Sequence, residues 1–158
     1  MSSYPQAVIS TNHGDIKVEL WNDVAPKHVE NFLKLSREGF YNDLTFHRII
    51  PRFVIQGGCP EGTGTGGPGH TVDAEFNDRE HHPGTLSMAR SADPNSAGSQ
   101  FFICLTREYC QHLDGQYTGF GQVIEGMDIV EKLGSAETDG QDRPVEPLEL
   151  RGIKPIDD

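Results

Sequence analysis

Between Asp15 and Leu20 apolar and polar residues alternate strictly: Ile16, Val18 and Leu20 fall on one side, Lys17 and Glu19 on the other. That is the pattern of a half-buried antiparallel strand. Upstream, Ala7-Val8-Ile9-Ser10 reads as a partner strand, and Thr11-Asn12-His13-Gly14 as the turn between them, with a glycine available for positive φ. The period then changes. Val29, Phe32 and Leu33 recur at helical spacing, Pro26 fits a first turn that needs no N–H, and Gly39 marks the stop. Apolar runs at 44–50 and 53–58 predict two strands joined at Pro51. Further strands are predicted at 85–90, 100–105, 120–124 and 148–153, with a second helix over 127–133 closed by Gly134. Residues 59–77, rich in Gly, Thr and Pro, read as a long loop and 91–99 as a polar one; a loop as long as the first is usually functional or flexible. Many short strands, two helices and no βαβ rhythm predict an antiparallel β-barrel or sandwich, and composition does not choose between the two.

The chain is of ordinary length for one domain with one core, with no internal repeat or linker, so residues 1–158 are expected to form a single unit with its core at about 7–153. No apolar run approaches the length of a membrane span. The N-terminal residues carry neither a basic segment nor an apolar h-region, so no secretory signal is read and the cytoplasm is the expected compartment. Cys59, Cys104 and Cys110 make an odd number without a C-x-x-C spacing, which argues for reduced, buried thiols rather than a disulfide framework or a zinc site. The net charge of −11 repels phosphate backbones and anionic lipid, so neither nucleic acid nor membrane is expected as a partner.

Several motifs fail on inspection. Gly62-Thr63-Gly64-Thr65-Gly66-Gly67 matches G-x-G-x-x-G, but it runs into Pro68-Gly69-His70 instead of opening a helix, so it is not a dinucleotide fingerprint. Seven histidines are scattered without ligand spacing, and His81-His82 would face opposite ways on a strand, so neither a metal nor any other cofactor is expected. Ser99 lacks the G-x-S-x-G elbow of a serine hydrolase, and nothing marks a partner histidine and acid.

What remains is Phe46-His47-Arg48-Ile49-Ile50-Pro51, Phe53-Val54-Ile55-Gln56-Gly57-Gly58 and Gly98-Ser99-Gln100-Phe101-Phe102-Ile103. A guanidinium stays charged in a protein, and burying an unpaired charge is expensive. Arg48 among large apolar residues is therefore either a rim residue snorkelling to water or a cation held at an apolar cleft. His47 alternates with Arg48 and should point to the opposite face. Gln100 and Phe102 share strand parity and can face one cleft. Phe53 and Gln56 do not share parity, and both reach that cleft only if Phe53 lies at a turn or bulge after Pro51-Arg52.

These stretches, with Val29-Glu30-Asn31-Phe32, Gly64-Thr65-Gly66-Gly67, Gly84-Thr85-Leu86-Ser87-Met88-Ala89 and Leu113-Asp114-Gly115, resemble the cyclophilins, the peptidyl-prolyl cis-trans isomerases, over about residues 7–153. The resemblance implies a mainly β fold, a closed eight-stranded antiparallel β-barrel capped by two α-helices. It implies that Arg48 is the catalytic arginine. Phe53, Val54, Phe102 and Leu113 would form the pocket for the substrate proline ring, and Gln56, Gln100 and the backbone around Ala89-Arg90 would hold the peptide. Tyr117 would stand at a polar rim position. His112 occupies the place of a tryptophan linked to cyclosporin-type ligands, so weak binding of such ligands is expected. Val54 replaces a common methionine, and the 90–95 loop is one residue longer than in many relatives, which touches substrate preference beside the proline. The expected partners are proline-containing peptides and proteins, the expected state a monomer, and the expected role assistance to folding. A proline-loop binding module with incidental turnover is the alternative.

Overall fold

A computed structural model of the chain describes residues 4–62 and 66–156. The ends, 1–3 and 157–158, and the Thr63-Gly64-Thr65 part of the Gly-rich stretch lie outside the described residues.

The alternating segments form the predicted hairpin. β1 (Gln6–Thr11) and β2 (Gly14–Leu20) pair antiparallel with Thr11 opposite Gly14, and Ile16, Val18 and Leu20 are fully buried. The sheet continues with β3 (Leu44–Thr45), β4 (Arg48–Ile50), β5 (Val54–Gly57), β6 (Thr85–Met88), β7 (Phe101–Cys104), β8 (Gly119–Glu125) and β9 (Glu149–Ile156). All nine strands belong to one antiparallel sheet in the order β3-β9-β1-β2-β8-β6-β7-β5-β4. Its two outermost strands, β3 and β4, are separated in sequence only by Phe46 and His47. The sheet therefore curls until both of its outermost strands are carried by one stretch of chain.

Here the structure corrects the expected single strand over 44–50. Leu44 and Thr45 bond to β9, Arg48 to Ile50 bond to β5, and the fully buried Phe46 lies at the break. Among the described residues hydrogen bonding thus counts nine strands where the expectation was eight; taken as one stretch, 44–50 restores that number.

The first helix, α1 (Pro26–Arg37), has Pro26 in its first turn and Gly39 at φ +77° beyond its end. Ala25 offers no side-chain cap. The carboxylate of Glu75, from the long loop, instead accepts from the Lys27 N–H (3.2 Å) and the His28 N–H (2.8 Å). An anion at a helix N-terminus satisfies orphan donors and complements the dipole. A four-residue helix, α2 (Arg107–Cys110), is followed by a 3-10 turn at Gln111–Leu113. It is an addition to the two expected helices and too short to leave a period in the sequence. The second long helix, α3 (Met127–Gly134), includes Gly134 in its last turn, where a Cβ would come within 2.9 Å of Leu105.

The main core lies inside the curl, beneath α1, where Phe32 packs against Tyr41, Phe101 and Phe120 at centroid distances of 5.2–5.6 Å. A smaller apolar cluster of Val54, Phe102, Cys104, Cys110 and Leu113 lies outside it. The three cysteines are buried thiols.

Candidate active site

One row of cross-strand neighbours organises the outer face. Arg48 on β4 sits opposite Gln56 on β5, Gln56 opposite Phe102 on β7, and Phe102 opposite Ser87 on β6. Residues opposite one another in a ladder share a face, so the register alone sets a cation, an amide and an aromatic ring side by side. Arg48 is exposed and its neighbour His47 is buried, as alternation requires. The Arg48 guanidinium reaches Gln56 Oε1 at 3.4 Å; Gln56 Nε2 donates to Gln100 Oε1 at 3.1 Å, and Gln100 Nε2 to the Gly66 carbonyl at 3.0 Å. Gln56 is the direct neighbour of the guanidinium, and Gln100 acts one step behind it.

Phe53 joins this face by the turn that parity demanded. Its N–H donates to the Ile50 carbonyl (3.0 Å), with Pro51 and Arg52 between, and Arg52 has φ +67°. Pro at the second position and positive φ at the third characterise a type II turn. Phe53 then packs against the smaller cluster beside Val54, Phe102 and Leu113, with Ala89 and Tyr117 closing it. His112 lies over Phe53 with ring centroids 5.6 Å apart. The Tyr117 ring meets Phe102 edge-on at 5.8 Å. Its other contact is the Arg90 guanidinium, 4.4 Å above the ring, which also donates twice to the Gln116 carbonyl. The Ala89 N–H is occupied by the Gln100 carbonyl.

Beside this cluster opens a polar groove of about 790 Å³, lined by residues 66–71, 89–91 and 98–100 together with Gln56. The outer face thus sets an apolar cluster next to a hydrogen-bonding groove. Gly58, just after β5, has φ +93°, and a Cβ there would lie 2.6 Å from the Ser99 carbonyl, so only glycine fits.

A permanent cation and an amide beside an aromatic cluster, with a polar groove alongside, are suited to a peptide. The comparisons agree. Residues 7–154 match the model of the family described as cyclophilin type peptidyl-prolyl cis-trans isomerase/CLD. The chain belongs to the cyclophilin family. It is 51% identical over 134 residues to a peptidyl-prolyl cis-trans isomerase of Synechococcus elongatus (84% of this chain, 90% of the relative). It is 46% identical over 147 residues to one of Schizosaccharomyces pombe (90% and 93%). A crystal structure of a Cryptosporidium parvum cyclophilin, determined in the presence of the dipeptide Ala-Pro, superposes with a TM-score of 0.91 at 36% identity, covering 97% of this chain and 99% of that one. This cyclophilin is accordingly a peptidyl-prolyl cis-trans isomerase.

Sequence reading missed parts of the cyclophilin site's support. Asn31 on α1 donates to the Gly98 carbonyl (2.7 Å), and its Oδ1 lies 2.6 Å from His70 Nε2, tying the two banks of the groove together. Nor did it foresee that Ser87, His81 and Asp114 form a hydrogen-bonded chain: His81 Nε2 lies 2.8 Å from Ser87 Oγ and Nδ1 3.1 Å from Asp114 Oδ1. The order resembles a hydrolase triad, but Ser87 is fully buried and cannot meet a substrate carbonyl. Burial lowers the pKa of His81, opposed in part by Asp114. Asp114, hydrogen-bonded first by Arg107, is held down at about 2. His28 and His47 are also lowered, chiefly by burial; at His47 the charges of Arg143 and Arg48 add to it. The L-D-G motif carries the acid, but no local pattern ties it to a histidine thirty-three residues upstream.

Proposed function

We propose that Arg48 is the catalytic group and that Phe53, Val54, Phe102 and Leu113 seat the substrate proline. The observation that carries this is the ladder register that sets Arg48, Gln56 and Phe102 in one row. The Xaa-Pro bond rotates over tens to hundreds of seconds because amide resonance raises a barrier of about 20 kcal/mol. When the bond twists, resonance is broken, the imide nitrogen turns pyramidal and its lone pair returns. A donor aimed at that nitrogen bonds the twisted state and not the planar isomers, which is differential binding. Arg48 stays protonated at any working pH. Gln56, held by Gln100, and the backbone around Ala89 and Arg90 fix the peptide on one side of the bond, so that the other side turns.

A gain of about five decades requires roughly 7 kcal/mol of selective stabilisation. One charge-assisted hydrogen bond supplies about 1.5–3 kcal/mol net. The balance comes from a guanidinium already oriented by Gln56 before the substrate twists. Replacing Arg48 by Ala should lower turnover of a proline tetrapeptide at least about tenfold with no change in melting temperature; near-normal turnover in a protease-free assay would reject the role.

His112 offers an imidazole where an indole would give more apolar area, so cyclosporin-type ligands bind weakly. His112→Trp should raise that affinity, read by titration of tryptophan fluorescence, and leave turnover unchanged. The protein works as a cytoplasmic monomer on proline-containing segments of folding or folded proteins. Sedimentation at micromolar concentration tests the monomer, and refolding of a substrate limited by a proline bond tests the role.

A further inference from the structure

Phe102, the ring at the centre of the row, has a third neighbour that the register does not supply. His81 comes from the loop before β6, is 1% exposed, and lies with its ring tilted only 21° from that of Phe102 at a centroid distance of 6.4 Å. Both ring nitrogens are committed. A carboxylate only accepts, so Nδ1 carries the proton toward Asp114 Oδ1 (3.1 Å) and Nε2 accepts from the Ser87 hydroxyl (2.8 Å). The backbone of the same residue is held as well. Its N–H donates to Asp114 Oδ1 at 2.8 Å, and its carbonyl accepts from Arg107 Nη1 at 3.2 Å. Arg107 Nη2 closes the ring of contacts on Asp114 Oδ2 at 2.7 Å.

Each of these partners leads to a different wall of the proposed seat. Ser87 is the cross-strand partner of Phe102, the floor. Asp114 follows Leu113, the side wall, directly in the chain. Arg107 begins α2, whose Cys110 thiol donates to the carbonyl of Phe53, the opposite wall, at 3.3 Å. A network buried at His81 and Ser87, with every member paired, holds one geometry firmly. We propose that His81 is a positioning residue of the proline seat, joining its floor to its side wall through Ser87 and Asp114 and fixing their separation at the width of a pyrrolidine ring. It touches no substrate and donates no proton to the reaction. This rests on the reading of Phe102 and Leu113 as the seat.

The test is His81→Phe, which keeps an aromatic ring against Phe102 and removes both nitrogens. With turnover measured on a proline tetrapeptide well below the melting transition, KM should rise about fivefold while kcat changes less than about twofold, the split of a lost binding geometry. His81→Gln, which retains one donor and one acceptor, should recover part of the affinity. KM and kcat both at the wild-type level in a folded His81→Phe protein overturn the proposal, as does a fall in kcat at constant KM. If His81→Phe does not fold, Asp114→Asn, which weakens the same network from its exposed end, carries the same expectation and the same refutation. A seat wrongly assigned shows itself separately: Phe102→Ala would then leave KM unchanged, whatever His81 does.

Discussion

The two faces of strands β4 to β7 differ by one residue of register and behave as two different materials. Inward point Ile49, Ile55, Leu86 and Ile103, each fully buried, in an aliphatic and aromatic interior whose buried Tyr41 places its hydroxyl on the Ser99 carbonyl at 2.9 Å. Outward point Arg48, Gln56, Phe102 and Ser87, polar and apolar in turn, with the polar members chained to one another or to His81. The inner face needs only volume and hydrophobicity, and it supplies stability. The outer face needs particular atoms at particular places, and it supplies chemistry. One pleated backbone serves both because successive side chains point oppositely.

The comparison breaks most visibly at neighbouring phenylalanines. Phe101→Ala removes a ring that meets Phe32, Tyr41 and Phe46 and should cost about 3–5 kcal/mol of stability. Chemical denaturation reads that loss, while KM in the folded protein should stay near the wild-type value. Phe102→Ala, one position on, should do the reverse. Its cluster is the smaller of the two, so the melting temperature should fall less, and KM for a proline peptide should rise by about tenfold or more, given roughly 1.5–3 kcal/mol for burying such a ring. Equal effects of the two variants on both quantities would erase the distinction between the faces.

Acid sharpens the same contrast with a smaller effect. His28, His47 and His81 lie outside the aliphatic interior, and burial lowers the pKa of each. Unfolded imidazoles titrate near about 6.5. Below that pH the unfolded chain takes up protons that the folded one refuses, so stability falls as pH drops from about 7 toward 5 and is level above. Asp114 adds a second step: its folded pKa of about 2 lies below the ordinary value, so its contribution is complete above about pH 4 and lost as pH approaches 2. Melting curves across this range should show the first step shrink in His47→Gln, with no matching change in Ile55→Val. A flat stability profile from pH about 7 to 5 would refute the histidine assignment.

Much of this molecule is legible in the chain. Strict alternation over 15–20 and helical spacing over 26–37 each state which face is apolar, and a single face is all that a local period encodes. Parity placed Gln100 and Phe102 together and required a turn at Pro51-Arg52 before Phe53 could join Gln56; the structure builds that turn. The quoted motifs carried the family. The break at Phe46-His47 was not legible, because nothing local to 44–50 reveals that its two halves bond to strands at opposite ends of the sheet order.

The sequence by itself determined most of the elements and their inward and outward faces, since these depend on neighbours a few residues apart. Only the tertiary structure decided that Glu75 caps α1 from a loop 47 residues away and that His81 meets Asp114 across 33. Such contacts arise when the sheet curls and brings distant loops onto one surface. Their physical origin is the demand of buried polar groups for partners, and that demand names a type of partner without naming its place in the chain.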